Sequence, residues 1–494
     1  MIYYVDSRYG CDENDGLSRQ TAWRTLEKVN AQVFKGGDSL LFKAGETYEG
    51  HLCPKRERDG GIVCIGRYGT GDKPEIVAPD GIAVQLCNFD GVELSDLSIT
   101  NPNGIRGIFI HNTVGGELKH IHVKNCRIHD INTARSSFSY ESGGIICVSF
   151  CDEPGWFNDL LLEDNEITDV TRSGILLSGL WANRPTKLWG RNEYVSDTEN
   201  WWPSYNVVVR GNYIDRTGGD GIVLIGTVDA LIEWNTVYHV MTTPRPPCAN
   251  AGIWPQSSNG CVVQYNEVGH CQKPEGCNDA QGFDVDLSCR DTLIQYNYSH
   301  DNGGGFLLLC ETAKTREEDN FRGTIVRNNL SVGDGNVKGE LIALVSPVRG
   351  ALIENNTFYA TGNAERLVEV WSPSGENQAK DVAFRNNLFV SNGRDNAFNL
   401  CKGENITFEN NVYWGAHRGI SEHDVSARAF DPDLVCPGRT GDGRAVLGAY
   451  VPRDPRMAEG AATPAKPAPV DAMGKPTEGR AYVGAFLPEI AKPQ

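Results

Sequence analysis

VVVRGNYIDRT (residues 207–217), ALIEWNTVYHV (230–240), CVVQYNEVGHC (261–271) and TLIQYNYSHDN (292–302) are successive copies of one pattern. Each copy is a short apolar run, a polar bend carrying Asn, and a second short run. The pattern extends back to LLLEDNEITDV (160–170). It runs forward through TIVRNNLSVGD (324–334), ALIENNTFYAT (351–361), VAFRNNLFVSN (382–392) and ITFENNVYWGA (406–416). The aligned residues are Asn165, Asn212, Asn235, Asn266, Asn297, Asn329, Asn356, Asn387 and Asn411, and IHVKNCRIHDI (121–131) places Cys126 there. From Asn212 onward the steps are 23 to 32 residues.

A further strand, usually opened by Gly, follows each bend: GGIICVS (143–149), SGILLSG (173–179), DGIVLIG (220–226), AGIWPQS (251–257), QGFDVDLS (281–288) and GGFLLLCET (304–312) among them. Runs of four to six residues with period-2 alternation, bounded by Gly, Asn, Asp or Ser, read as strands. One such unit cannot bury its apolar face alone, so units must stack coil upon coil. Asn suits the bend because it tolerates left-handed backbone and its amide can bond the neighbouring coil. The 55 Gly are then turn punctuation. The expected fold is an all-β solenoid of roughly ten to thirteen coils.

The ends follow from composition. Residues 1–36 read as an N-terminal cap, with a helix over Thr21–Ala31 and Thr21 as its N-cap. Residues 37–450 are the solenoid. Residues 451–494 form a Pro/Ala-rich tail whose AYVGAFL (481–487) is expected to dock as a strand, back on the cap helix.

With 64 acidic and 46 basic residues the net charge is −18. That balance argues against a nucleic-acid partner, and at long range against a polyuronate. No run of about 18 apolar residues is present, so no membrane span is expected. The opening MIYYVDSRYG lacks a basic and then apolar leader, which points to the cytoplasm. The 15 Cys then read as reduced core residues. His270, Cys271 and Cys277 lack a C-x2-C pair, so no metal site is assigned. Nucleophile elbows, phosphate-binding loops and dinucleotide fingerprints are missing.

In a solenoid, one strand position recurs about 4.8 Å away in the next coil, so outward side chains form columns. In QGFDVDLS, Asp284 and Asp286 share the outward face. Aligning the glycine-opened segments on Phe283 and Phe306 makes Leu307, Leu309 and Glu311 outward, with Glu311 one coil on and two positions further than Asp286. That spacing allows carboxyl separations of about 5–9 Å, the range of glycosidase pairs. Outward Trp254 and Trp371 could stack on sugar rings, with Gln256 beside them. The insertion Trp181–Trp202 could enclose a substrate. Four residues after the ladder Asn come Asp169, Arg216, His239, His270 and Asp301. His239 and His270 are stacked candidates for sugar hydroxyls or proton transfer, although His and Asp are also ordinary turn residues. Asp220, in GGDGI, and Arg245, in TTPRPPC, are further binding candidates.

The opening YYVDSRYGCDENDGLS…AWRTLEKVN…GGDSLLFKAGETYEG, with the strand–Asn–strand repeats, resembles right-handed parallel β-helix proteins of the pectin-lyase-like superfamily. That superfamily is dominated by carbohydrate-active enzymes. Among them the chain looks most like intracellular β-helix glycosidases of the β-xylosidase kind. The resemblance implies a retaining hydrolase of oligosaccharides without a cofactor, and the cytoplasmic reading, with imported oligosaccharides as substrate, implies exo action. By it Asp286 (or Asp284) is the nucleophile and Glu311 the acid/base. Two alternatives stay open. One is a polysaccharide lyase or uronate epimerase, with Ca²⁺ on Asp284, Asp286 and Glu311 and a base among His239, His270 and Arg245. The other is a non-catalytic carbohydrate-binding solenoid.

Overall fold

The computed structural model describes residues 1–57, 60–132, 141–184, 201–242, 249–311, 321–337, 339–345, 347–361, 364–371, 379–400 and 403–489. Arg245 and most of the Trp181–Trp202 insertion lie outside them. The chain forms two compact units. The first comprises Met1–Arg184, Val195–Leu231 and Met241–Thr243; the second comprises Pro185–Tyr194, Ile232–Val240 and Pro244–Gln494. Compactness thus divides the chain elsewhere than at residues 36 and 450, where composition changes.

Each unit is built from coils of three short strands: one before the ladder Asn, one after it, and one after the Gly-rich turn. In the first unit Gly116–Lys124, Arg127–Ile131 and Gly143–Ser149 pair in parallel with Gly155–Glu163, Glu166–Val170 and Ser173–Gly179. In the second, Val262–Gln264, Glu267–Gly269 and Phe283–Val285 pair in parallel with Leu293–Gln295, Tyr298–His300 and Leu307–Cys310. The fold class is the right-handed parallel β-helix. Inside each coil alternate residues meet at the centre. Val263, Val268, Phe283 and Val285 are all fully buried. Each such side chain contributes about 1.5–3 kcal/mol relative to exposure.

The Asn residues form the ladder that the repeat implies. In the second unit each Nδ2 donates to the next Oδ1: Asn235 to Asn266 (3.0 Å), Asn266 to Asn297 (3.1 Å), Asn297 to Asn329 (3.0 Å), and on to Asn411. Asn411 ends the series on the Asp424 carboxylate at 2.9 Å. Cys126, at the ladder position, has no amide to offer; its backbone N–H donates to Asn165 Oδ1 at 3.0 Å. The left-handed residue is not the ladder Asn but the one before it: Asp164 (φ 54°), Gly211 (66°), Asn328 (53°), Asn355 (55°) and Asn386 (51°). The ladder Asn is needed for its amide, and its predecessor makes the bend.

Two terminal expectations change. The first helix is shorter, Leu26–Ala31, and its N-cap is Thr25, whose side chain accepts from the Lys28 N–H. The segment before it is no separate cap, since Ile2–Val5 pairs with Ser39–Lys43. Residues 481–487 do dock, but as bends and on a different surface. Val483, Ala485 and Phe486 pack in one cluster with Leu330, Val332, Leu388 and Val390 of the post-Asn strands.

Candidate active site

The third strands of the second unit carry the carboxylates. Phe283 and Val285 face the core, so Asp284 and Asp286 face outward. Ile253 pairs with Phe283, which sets Trp254 beside Asp284 and Gln256 beside Asp286. On the other side Phe283, Asp284 and Val285 pair with Leu307, Leu308 and Leu309. Continuing that register places Cys310 opposite Asp286.

This register is one residue away from the alignment on Phe306. Leu308 and Cys310 face outward, while Leu307 and Leu309 face the core. The cause is the Gly303–Gly305 run, which lets the chain approach its neighbour before the strand begins. A Cβ on Gly304 would lie 2.4 Å from the Ala280 carbonyl carbon. Phe306 remains in the core, 5.8 Å from Phe283 between ring centroids.

Outward residues therefore form two columns: Trp254, Asp284, Leu308, Ala343 and Glu369; and Gln256, Asp286, Cys310, Val345 and Trp371. Leu308, Ala343 and Val345, with Cys310 against them, make an apolar strip separate from the core. Trp254 and Gln256 are buried, at 3 % and 0 % exposure, so Trp254 is not an open platform. Trp371 is, at 47 %. It stands three strands from Asp286, about 14 Å by strand spacing.

Asp286 is the perturbed group. Burial, then the charges of Asp279 and Glu311, raise its carboxyl to about 7, against a hydrogen bond from the Leu287 N–H at 2.9 Å. Burial, then the charges of Asp286, Asp284, Asp279 and Glu311, push the Cys310 thiol well above its usual range. Four carboxylates thus act on one thiol. Glu311 lies just past its strand, buried, with Oε2 accepting the N–H groups of Ser288 (3.0 Å) and Phe321 (2.8 Å). These bonds tie down the strand ends. Asp279 was missed in the sequence because it lies in a loop, where period-2 alternation says nothing. The next residue, Ala280, has φ 90°, and its N–H is bonded to the Asn250 carbonyl at 2.8 Å. Gln281 is fully buried, and neither amide atom has a hydrogen-bond partner among the described residues.

The other candidates go elsewhere. Asp220, in the first unit, is buried and bound to Arg172 at 2.7 Å. His239, His270 and Asp301 all sit at left-handed bends, with φ of 46°, 60° and 53°. The rings of His239 and His270 stack at 5.0 Å. The C-terminal segment meets this column: Asp442 bonds His270 at 2.9 Å and the Gly443 N–H donates to Glu267 at 2.6 Å. Buried His300 lies between Glu267 (3.3 Å) and Asp301 (3.1 Å). Burial opposes its charge, but hydrogen bonds to Asp301 and Glu267 outweigh that and raise it to about 9.

His270, with His300 and Asp301, could hold a metal ion, as could Glu93, His120 and His122 in the first unit. Cys277 could not: it is disulfide-bonded, whereas the other described cysteines are free, which corrects the reading of all cysteines as reduced.

An outward carboxylate cluster on stacked parallel coils defines a class, and the chain matches the family model for a right handed beta helix region over residues 60–239. Among particular proteins it is similar to a lacto-N-biosidase of Bifidobacterium longum subsp. longum, 24 % identical over 542 residues. That match takes in 90 % of this chain and 32 % of the relative, so the chain spans about a third of that protein's length. Among solved structures, the GH136 lacto-N-biosidase from Eubacterium ramulus superposes with a TM-score of 0.62 at 24 % identity, covering 77 % of this chain and 67 % of that one. XylC in complex with xylose superposes at 0.56 with 11 % identity, covering 99 % of both chains.

Proposed function

We propose that the chain is a glycoside hydrolase that cleaves oligosaccharides by a paired-carboxylate mechanism. The carrying observation is Asp286: an outward carboxyl held near 7 in a cluster with Asp279, Asp284 and Glu311. Interacting carboxylates titrate as a group, so the proton belongs to the cluster and not to one residue. One protonated and one ionised carboxyl are what glycosidic cleavage uses.

Asp286 stands just past the strand Phe283–Val285, with Oδ1 held by the Leu287 N–H. In the reactive protonation state the cluster's shared proton stands on Asp279, and ionised Asp286 attacks the anomeric carbon as the nucleophile. Asp279, half-buried on its loop, gives its proton to the leaving oxygen and then takes one from the water that releases the product. This two-step route retains configuration. Glu311, assigned acid/base by resemblance, instead supplies negative charge that raises the proton affinity of Asp286. The lacto-N-biosidase relatives support an oligosaccharide substrate. The departing chain lies over Leu308, Ala343 and Val345 toward exposed Trp371, and Gln281 offers its amide to a sugar hydroxyl.

The disulfide at Cys277 favours an oxidising compartment over the cytoplasm. The test of function is release of nitrophenol from a panel of aryl glycosides that includes 4-nitrophenyl lacto-N-bioside. Hydrolysis lost in both Asp286→Asn and Asp279→Asn supports the reading. Unsaturated uronate product that EDTA abolishes overturns it in favour of a lyase.

A further inference from the structure

At the bend before the ladder Asn, the coils carry Asp164, Gly211, Asn328, Asn355, Asn386 and Asn410, residues that tolerate left-handed backbone. Three coils break this rule. Trp234, Tyr265 and Tyr296 occupy the same position with φ of 58°, 56° and 58°. A bulky side chain there is a backbone outlier that persists only where the surroundings hold it.

The three rings form one stack. Trp234 and Tyr265 lie 4.6 Å apart at 7°, and Tyr265 and Tyr296 lie 5.0 Å apart at 18°. Packing accounts for Tyr296, which is 2 % exposed. It does not account for Trp234, which is 54 % exposed and gains little burial for its strained backbone. Beside Trp234 and Tyr265 is a hollow of about 360 Å³, walled also by Arg444, Leu447, Ala472, Met473 and Gly474. The Arg444 guanidinium lies 5.5 Å from the Trp234 ring centre and 5.7 Å from that of Tyr265. It donates to the carbonyls of Tyr296 (2.9 Å) and Ala472 (3.5 Å), two of its five N–H donors.

We propose that this hollow is a second carbohydrate-binding site, in which one pyranose ring of a neutral oligosaccharide lies on Trp234. A sugar ring has an apolar C–H face and a rim of hydroxyls. An exposed indole supplies the flat apolar surface, and Arg444 supplies directed donors at its edge. The site belongs to the bends before the ladder Asn, whereas the carboxylates stand on the third strands. It goes beyond the hydrolase reading, because binding here requires no turnover. Such a platform would hold a branched or surface-bound glycan while its end is processed elsewhere.

The test uses the full chain with Asp286→Asn, so that no sugar is consumed. Isothermal titration with lacto-N-biose, N-acetyllactosamine, xylotriose and cellotriose is followed into the millimolar range. Adding Trp234→Asn, the residue other coils carry at this bend, is expected to weaken one binding event at least tenfold. The urea midpoint should hold or rise. Trp234→Tyr, which keeps a flat ring, should stay within a few-fold. Equal losses in both variants, or no loss in Trp234→Asn, overturn the proposal. So does a concentration-dependent dimer, seen by sedimentation, that Trp234→Asn abolishes while sugar binding is unchanged. Whether aryl glycosides are hydrolysed bears only on the carboxylate cluster, so the two readings fail separately.

Discussion

Asp286→Asn is expected to make the protein more stable as the pH rises. The unfolded carboxyl titrates near 3.8 and the folded one near 7. Below the lower value both states carry the proton, and the residue contributes nothing. Between the two values the unfolded chain ionises while the folded one keeps its proton, so native stability falls as pH rises. Above 7 the full deficit is present. The gap corresponds to about 4 kcal/mol as an upper bound, and about 2 kcal/mol once the partial solvent access of Asp286 is allowed for. Asn removes the titration and keeps the shape. Urea unfolding of wild type and Asp286→Asn at pH 4, 5.5 and 8 measures the difference. The variant's advantage should grow across that series, reaching about 2 kcal/mol at pH 8, while hydrolysis is lost. An advantage that is the same at pH 4 and pH 8 refutes a raised Asp286, and with it the shared proton.

Other perturbations probe the scaffold and its surroundings. Asn297→Ala removes the acceptor of the Asn266 N–H and the donor to the Val263 carbonyl. The ladder bonds from Asn266 Nδ2 and to Asn329 Oδ1 are lost with them, and the loss should cost about 3 kcal/mol, with amide exchange in the flanking strands rising first. Gly304→Ala forces its Cβ against the Ala280 carbonyl and so displaces the loop that carries Asp279. It should cost about 2 kcal/mol and most of the activity, measured by thermal melt and aryl glycoside rates. Reducing the Cys277 disulfide should lower the melting temperature under dithiothreitol and slow hydrolysis, because the bond anchors the same loop two residues from Asp279.

The repeat was legible because its units are short, punctuated by Gly, and marked from Asn165 onward by an Asn whose amide joins neighbouring coils. Asp284 and Asp286 were legible as an outward pair for the same reason: period-2 alternation survives wherever the strand itself is regular. Glu311 joins Asp286 in the cluster as expected, but one register position nearer, because the Gly303–Gly305 run adds a residue before the strand and periodicity alone cannot say which Gly opens it. Trp254 reads as outward, which it is. Its 3 % exposure is a tertiary property that no local pattern encodes. Asp279 carries no periodic signal because its place is fixed by a loop that a left-handed Ala280 turns toward the site. His239 and His270 form a column because the coils from Asp169 through Arg216, His239, His270 and Asp301 to Gly333 bend left-handed four residues after the ladder Asn. What they meet is set by the C-terminal segment, distant in sequence. The Trp234, Tyr265 and Tyr296 anomaly was visible in EWN, QYN and QYN, but meant nothing until the structure showed which bend residue is left-handed.

The central claim is that Asp279 and Asp286 form the hydrolytic pair. It is tested most directly by the hydrolysis of a 4-nitrophenyl glycoside by wild type, Asp279→Asn and Asp286→Asn, each with and without added azide. The account predicts rates at least about a thousandfold lower in both variants. Azide should yield a glycosyl azide of inverted configuration from Asp286→Asn and of retained configuration from Asp279→Asn. Near wild-type hydrolysis by either variant would contradict it.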